Sequence, residues 1–262
     1  MASGRFESAA EWIMEAGKML SDAAKSGQVY RKKTGHQDLV TDLDRQVEVF
    51  FRERIVNAFP GDIIVGEELG AGKGERLWYI DPIDGTTNFI SIGRNYAISV
   101  AYYEFDKPRF GLVLDVAANE LYCAQAEEGA FCNGISLAGR KQNKIEDSVL
   151  YTPVIQHTFL AEHPHREVML YLSERVRAVR SLGSVALEMC YLAAGRGDMF
   201  AAMFSGPWDH NAARLILEEA GGVVGTLDGS ALPIYAQSSV MACSNRELWD
   251  LMAGEFKKRR MA

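Results

Sequence analysis

Acidic side chains stand at the ends of predicted elements in several separate places along this chain. Glu67 and Glu68 close the apolar run DIIV, Asp81 closes LWYI, and Asp84 follows three residues later. Asp209 opens a late helix, and Asp42 and Asp44 open an early one. Any one of them has a plain structural reading. Aspartate caps helix starts through its side-chain oxygen, and a glutamate at a strand end is usually solvated. Two consecutive strands that both stop in acid fit that reading less well. Grouped carboxylate oxygens suit hard cations such as Mg2+. Two such cations can clamp a phosphoryl group, polarise it and produce hydroxide near neutral pH.

The stretch LWYIDPIDGTTNFI, residues 77–90, adds a second half to that chemistry. Pro82 fixes its own φ and Gly85 can take a positive one, so the stretch bends. Gly85, Thr86 and Thr87 then start a helical turn, whose free N–H groups favour an anion. One short segment therefore offers cation ligands and an anion seat together.

Other motifs are weaker. GAGKGER, 70–76, lacks the G-x-x-x-x-G-K-[ST] spacing and precedes a strand, so it reads as a surface flap; lying near Glu67, it is also a candidate carrier of a weaker third metal site. HPHR, 163–166, reads as a solvated loop before a helix, and KKRR, 257–260, as a helix C-terminus favoured by the macrodipole. His210 is a first-turn helix residue without a role. No G-x-S-x-G elbow occurs, which argues against a serine hydrolase.

The bulk numbers are ordinary for a soluble globular protein. The 262 residues, 48% hydrophobic and 24% charged, suit one large domain or two modest subdomains with a substantial core. A net charge of -7 disfavours nonspecific hold on nucleic acid or an anionic membrane. An anionic substrate would need something other than net charge to neutralise it, and a bound cation is one candidate. Four cysteines, none at C-x-x-C spacing, read as reduced and buried. No apolar signal core or run of ~20 apolar residues is present, so the expected setting is cytoplasmic.

These residues must be positioned by elements that the periodicity outlines. Helices are predicted over 5–26, over a second stretch ending at Pro60-Gly61, and over 165–177, 184–195 and 209–222, with a terminal one in NRELWDLMAGEFKKRR. Residues 34–42 read as a polar loop or short hairpin. DIIVGEE, LWYI, NYAISVAYY, RFGLVLDV, ELYCAQ, SVLYTPV, DMFAAMF, GVVGT and SVMACS read as strands, the middle ones as a meander. The mixture predicts layered sheets and helices.

Taken together, DPIDGTTNF, GEE at 66–68 and WD followed by EEAGG resemble the inositol monophosphatase family of metal-dependent, lithium-sensitive sugar phosphatases, in its bacterial form. DLVTDLD at 38–44, AFCNG at 130–134 and SLGSVALEMC at 181–190 fall in the same order, so the resemblance covers nearly the whole chain. The fold it implies is α+β, a layered αβαβα sandwich, in a single domain over 1–262 with a soft boundary near 140–147. Relatives are commonly homodimers. Mg2+ is the implied cofactor, as two or three ions, with Mn2+ a substitute and Li+ or Ca2+ inhibitory. The implied ligands are Glu67, Asp81, the Ile83 carbonyl, Asp84 and Asp209. Thr86 would orient the attacking water with Asp44, so Asp44, Thr86 and Glu67 form the catalytic group. Gly85 and Thr86 would hold phosphate through backbone N–H. Gly183, Ser184 and Val185, with Asp84 and Asp209, would meet the substrate, a small phosphate monoester.

The sequence also departs from the family pattern. Members that favour inositol phosphates carry Gly-Thr-Ala where this chain has Gly183-Ser184-Val185. They also carry a glutamate for ring hydroxyls seven residues before the last aspartate, where this chain has Ala202. A site without that hydrogen-bonding group discriminates less. NADP 2′-phosphate, fructose 1,6-bisphosphate, histidinol phosphate and phosphoadenosine phosphate stay open as substrates. From another class, a non-catalytic metal- or phosphate-binding regulator, or a protein-interaction factor, is the rival reading.

Overall fold

The computed structural model describes residues 3–26, 31–33, 39–138, 144–153, 155 and 165–260. Helix α1 (Ser3–Ser26) buries Ala9, Trp12, Ile13, Ala16 and Leu20, spaced to line one stripe. Strand β1 (Arg31–Lys33) pairs antiparallel with β2 (Leu39–Thr41), so the pairing begins before the 34–42 stretch read as a polar loop or short hairpin; residues 34–38 lie outside the described residues. Helix α2 (Asp42–Ala58) buries Val47, Phe51 and Ile55, and on the same side Asp44 and Glu48.

The chain then runs through β3 (Ile63–Gly66), β4 (Gly70–Ala71), β5 (Arg76–Asp84), α3 (Thr86–Ser91), β6 (Ala97–Glu104), β7 (Lys107–Asp115), β8 (Glu120–Gln125), β9 (Gly129–Cys132) and β10 (Ile135–Leu137). These strands make a sheet of order β10-β9-β8-β7-β6-β5-β3-β4, antiparallel except where β3 runs parallel to β5. The second half contains β11 (Val149–Tyr151), α4 (Arg166–Ser173), β12 (Ala178–Arg180), α5 (Val185–Ala193), β13 (Met199–Ser205), α6 (Pro207–Glu219), β14 (Val223–Gly225), β15 (Ser238–Cys243) and α7 (Arg246–Arg260). Its sheet has the order β12-β11-β13-β15-β14.

The period-2 alternation of the strands sorts the core into layers. Trp78 and Ile80 of β5 pack with α1 and α2, while Leu77 and Tyr79 face the other way, toward α5 and α6. In β13, Phe200 and Ala202 face that same central helical layer, and Met199, Ala201 and Met203 pack against α4 and α7. Helices, sheet, helices, sheet, helices is the αβαβα order expected from the sequence.

Several boundaries differ from expectation for local reasons. The LWYI strand does not stop at Asp81 but runs on to Asp84, with a register shift against β6 between those two residues. Pro82 sits in that irregularity, where a missing N–H costs the ladder least. The helix predicted over 165–177 ends at Ser173. The helix predicted from Asp209 starts at Pro207, with Gly206 as its cap. Of GAGKGER, Gly70 and Ala71 pair as an edge strand with Val65 and Gly66. In HPHR, His163 and Pro164 lie outside the described residues, and the His165 ring meets Phe256 edge-on at 5.4 Å. All four cysteines are free, Cys190 and Cys243 being buried. No helix among the described residues is long and apolar enough to cross a membrane.

The central layer packs closely where α6 crosses β7. A Cβ added at Gly111 would lie 2.5 Å from the Ala212 carbonyl oxygen and 2.9 Å from its Cα. Both atoms are backbone and cannot rotate away. Gly111→Ala is therefore expected to destabilise the protein by about 1–3 kcal/mol, the usual range for overpacking. Urea melts check it, and an unchanged midpoint would mean α6 moves freely over the sheet.

Candidate active site

The bend around Pro82, in the last residues of β5, supplies the first group. Asp81 and Asp84 are both buried, at 2% and 8% exposure. Asp81 Oδ1 accepts from the Ile83 N–H at 3.0 Å, closing a small local turn around Pro82. Gly85 follows at φ +90°, where a side chain would be strained and would also press on the Asn95 and Gly183 carbonyls. It caps α3 without a side-chain hydrogen bond, so the cap leaves first-turn N–H groups of α3 for another acceptor. Thr86 Oγ1 lies 3.0 Å from the Ile83 carbonyl and 3.4 Å from Asp44 Oδ1. Asp44 itself is buried at the start of α2.

Helix α6 brings Asp209 to this bend. Asp81 is the register partner of Ser99 on β6, and the Ser99 hydroxyl donates to the Trp208 carbonyl at 2.9 Å. That bond ties the start of α6 to the sheet beside Asp81. Asp209 is the third helical residue, and its Oδ2 accepts from the Gly206 N–H at 2.8 Å, as an acidic residue near a helix start does.

Glu67 sits in the turn just past β3 and keeps an exposed face. Its turn is held from behind by Glu48, a residue on the buried face of α2. Glu48 accepts from the Glu68 N–H at 2.9 Å and the Leu69 N–H at 3.3 Å, and Arg52 pairs with it at 2.7 Å. A Cβ at Gly66 would collide with the Glu48 carboxylate, so the turn needs glycine there.

Electrostatics ties these acids together. Burial pushes the Asp209 carboxyl up to about 7, with the Asp84 charge adding to it. Burial also pushes Asp84 up to about 6, against the hydrogen bonds from Ser184, Ala186 and Val185. Asp81 is raised by burial and then by Glu67, Asp84, Asp209 and Asp44. Glu67 is raised by desolvation first, then by Asp209, Glu68 and Asp44, while a hydrogen bond with Asp81 works the other way. Among the described residues no three His, Cys, Asp or Glu side chains form a ready-made metal cage. The donor set is nevertheless all oxygen, and each raised carboxyl would be relieved by a hard divalent cation. The residues fit such an ion.

Residues 5–260 match the model of the inositol monophosphatase family. The chain belongs to that family. It is 38% identical over 245 residues to the inositol-1-monophosphatase of Bacillus subtilis, covering 90% of each chain. It is 36% identical over 211 residues to the fructose-1,6-bisphosphatase/inositol-1-monophosphatase of Thermotoga maritima, covering 80% of each. A solved Thermotoga maritima IMPase superposes with a TM-score of 0.87 at 31% identity, over 98% of both chains.

Within this family member the loop expected to meet the substrate is itself tied to Asp84. Ser184 caps α5 and is fully buried; its hydroxyl donates to Asp84 Oδ2 at 2.6 Å and accepts from the Leu187 N–H at 3.2 Å. The Ala186 N–H donates to the same Asp84 oxygen at 2.7 Å, and the Val185 N–H lies 3.3 Å from Oδ1. So Ser184 and Val185 hold Asp84, and the serine hydroxyl already has both partners. A Cβ added at Gly183 would lie 3.1 Å from Asn88 Nδ2. Ala202, the position of the missing glutamate, is 1% exposed in the layer between the sheets.

Two supports escaped the sequence reading. Asn88 Nδ2 donates to the Asn95 carbonyl at 2.7 Å and to the Leu182 carbonyl, joining α3 to the 182–184 loop. Glu188, fully buried on α5, accepts from the Leu182 and Gly183 N–H groups, and burial pushes its carboxyl up to about 8. The available signal was a charged residue on an apolar helix face. Glu48 on α2 carries the same signal.

Proposed function

We propose that this protein is a Mg2+-dependent phosphomonoesterase, hydrolysing small phosphorylated metabolites by direct attack of water with no covalent enzyme intermediate. The observation that supports this best is the meeting of Glu67, Asp81, Asp84 and Asp209 beside the α3 cap that has no side-chain hydrogen bond. Glu67, Asp81, the Ile83 carbonyl, Asp84 and Asp209 are the groups that would hold the cations. When bound, these neutralise phosphate charge and favour hydroxide near neutral pH.

The remaining work falls to the chain. The N–H groups of Gly85 and Thr86 hold phosphate oxygens at the start of α3. Thr86 has one hydroxyl proton, directed to the Ile83 carbonyl or to Asp44. Its oxygen is then an acceptor for the attacking water and orients it. The water oxygen bonds to phosphorus as the ester P–O bond breaks. The proton lost from water passes toward Asp44, and the departing alkoxide takes a proton from solvent water.

Specificity is set by what the cleft lacks. With Ala202 buried and no carboxylate at that position, ring hydroxyls lose a partner, and the reading includes inositol monophosphate, the 2′-phosphate of NADP and sugar phosphates. Two or three ions, Li+ inhibition, a homodimer, one domain and a cytoplasmic setting belong to the same proposal. The test is phosphate release from inositol 1-phosphate, NADP, fructose 1,6-bisphosphate, histidinol phosphate, phosphoadenosine phosphate and glycerol 2-phosphate, with Mg2+ and with chelator. Mg2+-dependent release from more than one is the expected result. Silence from folded protein at saturating Mg2+ would move the reading to a metal- or phosphate-binding regulator.

A further inference from the structure

His210 has no part in the reaction described so far. It follows Asp209 on α6, and neighbours on a helix point about 100° apart, so it looks away from its predecessor. It is fully buried. Its Nδ1 lies 2.9 Å from Ser205 Oγ, and that oxygen lies 3.2 Å from Asp209 Oδ2. Asp209 Oδ1 accepts no hydrogen bond among the described residues, whereas Oδ2 is met by both Ser205 and the Gly206 N–H.

Proton counting orders this chain. Ser205 is buried and has one hydroxyl proton, with three acceptors in reach: Asp209 Oδ2, His210 Nδ1 and the Gly206 carbonyl at 3.3 Å. If the proton went to His210, serine lone pairs would face the aspartate oxygen at 3.2 Å. That contact is repulsive when Asp209 is ionised. The His210 ring also feels the Pro233 carbonyl, although Nε2 completes no hydrogen bond of full geometry. The direction of the Ser205–Asp209 bond therefore decides the order and places the imidazole proton on Nδ1.

We propose that His210 is a positioning residue for Asp209: its Nδ1–H donates to Ser205, Ser205 donates to Asp209 Oδ2, and Oδ1 is thereby kept for the cation. This rests on the phosphatase reading for its purpose, though the proton order stands by itself. Hydrogen bonds behind a metal-ligating carboxylate typically change metal affinity or activity by about 10–100-fold when removed.

The test uses the full chain. Nitrogen-15 NMR of the metal-free protein at about pH 9, well above the Asp209 value of about 7, is expected to show His210 protonated at Nδ1; protonation at Nε2 overturns the relay. Calorimetric Mg2+ titration is expected to show affinity about tenfold weaker for His210→Leu. His210→Asn, whose amide nitrogen can stand where Nδ1 stood, is expected to recover most of the loss. If His210→Leu does not fold, Ser205→Ala removes a single oxygen and carries the same expected loss. In the Ser205→Ala background, His210→Leu is expected to cost no further affinity. Equal affinity for the Leu and Asn variants, or additive losses, overturns the proposal. Wild-type protein with no Mg2+ affinity overturns the phosphatase reading instead, and the NMR result still judges the relay.

Discussion

Asp81→Asn is expected to abolish nearly all phosphate release while leaving the protein folded. Asp81 is 2% exposed and feels the charges of Glu67, Asp84, Asp209 and Asp44. Those four charges and its burial all raise its carboxyl. Asparagine keeps the oxygen that accepts from the Ile83 N–H, so the bend around Pro82 survives. What goes is one negative charge at the centre of the cation site. Divalent cations supply several kcal/mol of transition-state stabilisation, and each 1.36 kcal/mol is tenfold in rate, so a loss in kcat/KM of about 10³-fold follows. Because the charge removed is a strained one in metal-free protein, the metal-free melting temperature should hold or rise. Steady-state phosphate release and thermal melts of the same preparation check both halves. Retained turnover would show that Asp81 does not sit at the cations.

The second large effect is a Mg2+ stabilisation that depends on pH. Asp84 and Asp209 have folded values of about 6 and about 7, above the ordinary carboxylate range. For an acid raised on folding, the native state binds more protons than the unfolded chain, so stability falls as pH climbs from the ordinary value through the folded one. Metal-free protein should therefore lose stability between about pH 4 and about pH 7. Mg2+ binds the deprotonated site and should reverse that loss, most strongly above pH 7. At 100 times the dissociation constant, binding contributes about 2.7 kcal/mol, or roughly 5–10 °C in a chain of this size. Melts at pH 5 and pH 8, each with Mg2+ and with chelator, measure it. A shift of equal size at both pH values would sink the idea that these carboxyls bind the ion.

What the sequence determined alone was mostly local. The stripe of α1, the apolar runs of β5 to β8 and the turn at Asp81-Pro82-Ile83-Asp84-Gly85 depend on residues within one or two turns of each other. Contiguous blocks such as DPIDGTTNF were therefore enough to indicate the family and the acids. The mixture of strands and helices indicated layered packing, and the five-layer order came with the family resemblance.

Tertiary structure decided the contacts between distant segments. Ser184 is 100 residues from Asp84, and only the folded chain shows its hydroxyl committed to that carboxylate. Glu48 supports a turn 20 residues away, and Ser99 anchors a helix 109 residues on. Ala202 is adjacent in sequence to site segments and yet buried between sheets, because strand alternation turns it inward. His210 read as a bare first-turn residue, and it became a partner of Ser205 only once β13 and α6 met at Gly206. Side-chain type is written in the sequence. Which polar group satisfies which other, once water has been excluded, is set by packing across layers.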